Sequence, residues 1–175
     1  FRIVFVIINM SLSQIKFSYD AVAVQSLLVQ EIGYDDGVPD PFSGEAYFLG
    51  FGDNAPGYGW AVKFTPSSPV AKILSAKLYI YSPKKDKFEF HIWNDYGYNE
   101  TPGDDIIPPI TITPPEIRKE MWITVDLTPY EDKLTNFEGN FYVGVIQPDS
   151  GAIYIGMDNS NPDMNKTWAL FGIAH

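Results

Sequence analysis

Proline and glycine interrupt this chain so often that few windows are long enough for a helix. Each occurs 14 times in 175 residues. Proline removes a backbone donor and glycine frees the backbone to turn, so the chain is cut into short segments. Those segments are rich in aromatic residues, 15% of the chain, which suit a half-buried pleated surface better than a helix. Strands are predicted at residues 58–65, 72–81, 87–94, 106–113, 121–127, 140–147, 152–157 and 167–171. Ser82-Pro83-Lys84-Lys85-Asp86 reads as a hairpin turn between two of them. Pro108-Pro109 and Pro114-Pro115 bracket a run that must be short or lie at an edge. A single helical turn is expected near residues 129–134. Residues 33–59 read as an acidic, Gly-rich loop with little periodicity. Strands at this spacing predict one all-β sandwich.

The charge excludes some functions. Net charge is −10, so phosphate backbones would be repelled and nucleic acid is not an expected partner. Cysteine is absent, which removes disulfides, thiolate metal sites and Cys nucleophiles. No apolar run reaches the roughly 18 residues a membrane-spanning helix needs. Three N-x-S/T sequons, at Asn9, Asn99 and Asn165, suggest an exported, glycosylated protein; chance occurrence is the alternative.

No catalytic constellation is visible. His91 lies in the alternating run FEFHIWN and reads as structural or surface-exposed; the other histidine is His175. Ser43 lacks a nucleophile-elbow context. Asp35-Asp36 and Asp104-Asp105 sit in turn-like sequence, where solvation is the ordinary role. Ca²⁺ is the expected cofactor if one is bound, because loop carboxylates and carbonyls supply the oxygens it needs. The candidate ligands are Asp35, Asp36 and Asp40 in YDDGVPD, and Asp158 and Asp163 in GMDNSNPD; FGDNAPG adds Asp53 and Asn54. Their spacing is not that of an EF-hand, and turn capping is the competing role. Tyr58, Trp60, Tyr96 and Tyr98 could form a sugar-stacking platform, against the expectation that Trp60, Trp93, Trp122 and Trp168 are core.

From Gly33 onward an ordered set of pieces covers about 140 residues. They are YDDGVPD, GYGWAVKFTP, AKLYIYS, FEFHIWNDYG, TPGDDI, WITVDLT, GNFYVGVIQPDSGAIYIGMD and KTW. The set resembles the jelly-roll domains, PPC- or CBM-like, of secreted archaeal and bacterial proteins, including subtilisin-like proteases. The resemblance implies a jelly-roll β-sandwich over residues 24–175 and raises the expectation of Ca²⁺. Domains of that kind continue past the Ser/Thr-Trp position through one more strand, for which residues 169–175 leave little room. A sandwich lacking a strand would expose an open edge.

The start of the chain supplies a filler. Ile3, Val4, Phe5, Val6, Ile7 and Ile8 form a continuous apolar run. Met10 and Leu12 follow on one face; Ile15 and Phe17 fall on the other, after a phase change near Ser13-Gln14. Three readings of residues 1–23 compete: the remnant of a signal peptide, an ordinary first strand of the same domain, or a donor strand that completes the next subunit. A head-to-tail contact of the third kind gives a filament or tube. Four such buried side chains would contribute on the order of 6–12 kcal/mol before ordering costs. The absence of an initiator Met fits a chain trimmed after export. With this extension the chain resembles self-assembling jelly-roll subunits of microbial surface fibres: archaeal bundling pili, cannulae and TasA-type matrix fibres. The resemblance implies an extracellular structural homopolymer on a cell surface or in a matrix, and not an enzyme. A Ca²⁺-binding or carbohydrate-binding accessory module of a secreted enzyme is the alternative.

Overall fold

The computed structural model describes residues 6–12, 28–32, 41–42, 45–46, 48–52, 55–66, 70–137, 139–147, 151–156 and 167–171. Its strands are β1 (Val6–Leu12), β2 (Leu28–Ile32), β3 (Pro41–Phe42), β4 (Glu45–Ala46), β5 (Phe48–Leu49), β6 (Gly59–Phe64) and β7 (Val70–Ser82). They continue with β8 (Phe88–Asn94), β9 (Ile110–Ile112), β10 (Lys119–Asp126), β11 (Thr135–Phe137), β12 (Phe141–Ile146), β13 (Tyr154–Gly156) and β14 (Thr167–Leu170). Every pairing between them is antiparallel. Short 3₁₀ turns occupy Tyr98–Glu100 and Thr128–Tyr130; the second begins the helical turn expected from the sequence. Among the described residues, no helix is long and apolar enough to cross a membrane.

The strands form two main sheets around one core. Within them, β5-β13-β7-β10 opposes β6-β12-β8-β9. The chain passes from sheet to sheet so that its first and last strands of this set, β5 and β13, lie side by side. That is the double Greek-key connectivity of a jelly roll. The fold is an all-β jelly-roll sandwich: strand spacing predicts the sandwich, and the resemblance implies the jelly roll.

Period-two alternation explains the core. Phe88, Phe90 and Ile92 of β8, and Phe141, Val143 and Val145 of β12, point inward. Val62 and Phe64 of β6 join them from the same sheet. Ala76, Leu78 and Ile80 of β7 meet them from the other, and Ile73 joins the same core beyond the register shift that skips Leu74. All are essentially inaccessible to solvent, and each fully buried large side chain of this kind stabilises the fold by roughly 1.5–3 kcal/mol. Phe64 stacks on Phe141 with ring centroids 5.5 Å apart.

Three sequence expectations need correction. The Ser82–Asp86 turn is not a hairpin, because β7 and β8 belong to different sheets. Local turn chemistry specifies a reversal but not the sheet that receives the next strand. The strand expected at 106–113 is confined to Ile110–Ile112, between the prolines, on the sheet edge beside β8. The 33–59 segment is also not strandless, since it contains β3, β4 and β5. These are two-residue strands, too short to produce a period.

Candidate functional site

The long strand β7 organises the first candidate site. On one edge it pairs with β10 over Ser75–Ser82 and with β11 at Lys72 and Val70. On the other edge β13 takes only Tyr81 and Ile80. The remainder of that edge, from Leu78 down to Val70, is taken by β1. The 13 residues of β7 outrun the three of β13, and β1 continues the line where the described part of β13 stops. Val6 stands opposite Leu78, Ile8 opposite Ala76 and Met10 opposite Ile73, three partners with no exposed surface. Register shifts fall at Asn9/Met10 and Ser11/Leu12, where Leu74 and Ala71 of β7 are the unpaired extra residues, so β7 is bulged twice along this ladder. Its far edge carries β2, with Ile8 opposite Ile32 and Leu12 opposite Leu28.

Of the expected donor residues, Val6, Ile7, Ile8, Met10 and Leu12 thus lie in β1. Ile3, Val4, Phe5, Ile15 and Phe17 lie outside the described residues. The open edge foreseen after the Ser/Thr-Trp position has a different origin. The eight jelly-roll strands are all present, and β14 is additional, paired to the edge of β6. Among the described residues, the edge that β1 takes is the part of β7, Leu78 to Val70, that β13 does not pair with.

The second candidate site is the outer face of the five-stranded sheet β14-β6-β12-β8-β9. Alternation turns Glu89, His91 and Trp93 of β8 outward, with Tyr142 and Ile146 of β12 and Ala61 of β6 beside them. This face is not bare. Ala61, Trp93, Tyr142, Ile146 and Leu170 form a buried apolar cluster with Trp168 against it. Gly144 lies between His91 and Ala61 in the register. A Cβ there would stand 1.9 Å from the Trp60 carbonyl oxygen, so only glycine lets these strands approach.

The segment after β8 folds back over this face. Asn94 anchors its base: the side-chain oxygen accepts from the N–H of Tyr96 and of Asp104, each at 3.1 Å. Gly103 donates to the Asn94 carbonyl at 3.0 Å, and Ile106 to that of Ile92 at 2.8 Å. The tip is fastened by Lys63, which reaches Glu100 at 2.9 Å, and by the Tyr142 hydroxyl, which donates to the Glu100 carbonyl. The Lys63 ammonium also stands 5.8 Å from the centre of the Tyr142 ring. Its hydrogen bond to the Glu100 carboxylate raises the Lys63 pKa above the ordinary value, whereas burial raises that of Tyr142.

Under this segment His91 is completely buried. Its Nδ1 lies 2.9 Å from Asp105 Oδ1. A carboxylate only accepts, so Nδ1 carries the proton. Nε2 faces Glu89 Oε2 at 3.6 Å and has no hydrogen-bond partner among the described residues. The ring stacks on Trp93 at 4.8 Å and 7°. Beside this pair opens a cleft of about 430 Å³, bounded by Trp93, Gly103, Asp104, Asp105, Leu170 and Phe171 among others. Such a volume lies in the range of small-molecule sites.

The expected sugar platform does not form as one surface. Tyr58 and Trp60 pack with Phe51 and Phe171 in a ring cluster, Phe51 stacking on Trp60 at 4.7 Å. Tyr96 and Tyr98 are 85% and 86% exposed on the β8–β9 connection. Trp122, expected in the core, is 38% exposed and lies against Tyr79 on the outer face of the other sheet, with ring centroids 5.2 Å apart. His91, expected to be structural or surface-exposed, is buried on the outer face of β8 under the β8–β9 connection. The signal was its neighbour Trp93 on the same face, which requires a cover.

Asp35, Asp36, Asp40, Asp53, Asn54, Asp158 and Asp163 lie outside the described residues. Among the described residues, no group of three or more acidic or histidine side chains is placed to hold a metal ion. Of the sequons, Asn99 is exposed in the 3₁₀ turn with φ 53°, a conformation Asn tolerates. Asn9 stands in β1 opposite Ser75 and Glu31, and Asn165 lies outside the described residues. Compared with protein-family models, with curated proteins and with solved structures, the chain matches none.

Proposed function

We propose that this chain is a structural subunit of an extracellular filament or tube, assembling head to tail by donor-strand complementation through its apolar N-terminal segment. The observation that supports this reading is the edge of β7. A jelly roll complete in its eight strands leaves Val70–Leu78 to a ninth, and that ninth is the apolar opening segment. The same edge in a neighbouring copy offers the same ladder bonds and the same buried partners, Leu78, Ala76 and Ile73. Exchange therefore conserves the contacts while linking copies, and a non-closing operator gives a fibre. In this proposal Ca²⁺ held by Asp35, Asp36, Asp40, Asp158 and Asp163 stiffens the loops, and glycans at Asn9, Asn99 and Asn165 coat the exterior.

Negative-stain electron microscopy of the purified chain beside a variant lacking residues 1–19 tests it. Filaments from the full chain alone are expected. Discrete particles from both would refute it. The cleft beside Trp93 and Asp105 favours a second reading, an accessory ligand-binding module of a secreted enzyme. Saturable binding of oligosaccharides, lost in a folded Phe171→Ala variant, would support that reading.

A further inference from the structure

The order β2-β1-β7 determines what can be exchanged, if the chain polymerises as proposed above. β1 is a central strand: it pairs with β7 on one side and β2 on the other. Among the described residues, β2 pairs with nothing but β1. Withdrawing β1 alone would break both ladders and leave β2 as a strand without a sheet, which is unstable in water. Withdrawing β1 and β2 together breaks only the ladder to β7.

We infer that the unit passed between subunits is the two-stranded β1–β2 pair, and that its seat on the subunit's own β7 is the closed, unassembled state. The seat is Val70–Leu78 of β7 in either state, so assembly is an exchange of like for like, and closed monomers must release the pair before they join. The pair also brings its own edge. β2 is LVQEI, and the Gln30-Glu31 step places a charge on the strand that becomes outermost, a feature that discourages further edge-to-edge pairing. A lone donor strand would instead leave the apolar VIINMSL sequence of β1 as the sheet edge.

The absence of cysteine makes the test clean. Asn9→Cys/Glu31→Cys ties β1 to β2, and Asn9→Cys/Ser75→Cys ties β1 to β7, both at register partners. Oxidised as a monomer, the first variant is expected to form filaments like the parent chain. The second is expected to lose assembly until reduced. Assembled while reduced and then oxidised, it should give covalent multimers on a non-reducing gel. Met10→Cys/Gln30→Cys ties the same two strands one step along and must behave as the first variant does; circular dichroism establishes that each is folded. Assembly by the parent chain but by neither β1–β2-tied variant would overturn the two-stranded unit and leave a lone donor strand. Intramolecular disulfides alone in filaments of the β7-tied variant would overturn exchange. Failure of the parent chain itself to polymerise would overturn the structural-subunit reading, and this inference with it.

Discussion

The His91–Asp105 pair makes a prediction whose sign is unusual. His91 gains a hydrogen bond to a carboxylate at 2.9 Å, an interaction that contributes about 1.5–3 kcal/mol. It also buries Nε2 without a partner among the described residues, and an unsatisfied buried polar atom costs about 1–3 kcal/mol. The two nearly cancel. His91→Phe keeps a flat ring on Trp93, loses the bond and removes the orphan atom, so its net effect should lie within about 1 kcal/mol of zero. Asp105→Ala has no such compensation. It leaves the buried Nδ1–H unpaired and should cost about 1–3 kcal/mol. The double variant then has no buried imidazole left to satisfy and should be more stable than Asp105→Ala alone. Urea unfolding resolves this, since about 1–2 kcal/mol moves the midpoint by roughly 0.5–1 M for an ordinary denaturant slope. A double variant less stable than Asp105→Ala, or a coupling under about 0.5 kcal/mol, would refute the reasoning.

Gly144→Ala should prevent folding or cost several kcal/mol, because a Cβ 1.9 Å from the Trp60 carbonyl forces β6 and β12 apart; soluble yield and thermal midpoint check this. Stability should fall as pH rises above about 10. Burial and the Glu120 carboxylate push Tyr79 up to about 12, and Lys63 and Tyr142 are raised as well. Groups with raised pKa values contribute fully below their unfolded values and lose that contribution as pH passes their folded ones, so chemical unfolding across this alkaline range should show the decline. At the acid end the sign reverses: the Thr128 N–H and hydroxyl hold the Asp126 carboxyl below its usual range, so its contribution is present above the unfolded value and lost as pH falls through the folded one, a loss absent in Asp126→Ala. If the loops bind Ca²⁺, the cation should raise the thermal midpoint in a chelator-reversible way, and Asp36→Asn/Asp158→Asn should abolish the rise.

Alternation was enough to mark FEFHIWN as a strand, because successive side chains of a strand leave on opposite faces. Proline placement was enough to put Ile110–Ile112 at an edge, because a proline has no N–H to give a central ladder. These are properties of a few neighbouring residues, and the sequence by itself determined them, along with the all-β class and the lack of disulfide staples. Tertiary structure decided everything that depends on which distant segment arrives. It sent Phe88 to the opposite sheet from Ser82, brought Asp105 to a histidine that the β8–β9 connection covers, and turned Trp122 out of the core. It also set the short β13 against the long β7, so that an edge of the jelly roll remains for Val6–Leu12. Strand pairing is set by contacts remote along the chain, and no local pattern states how much of one strand another will cover.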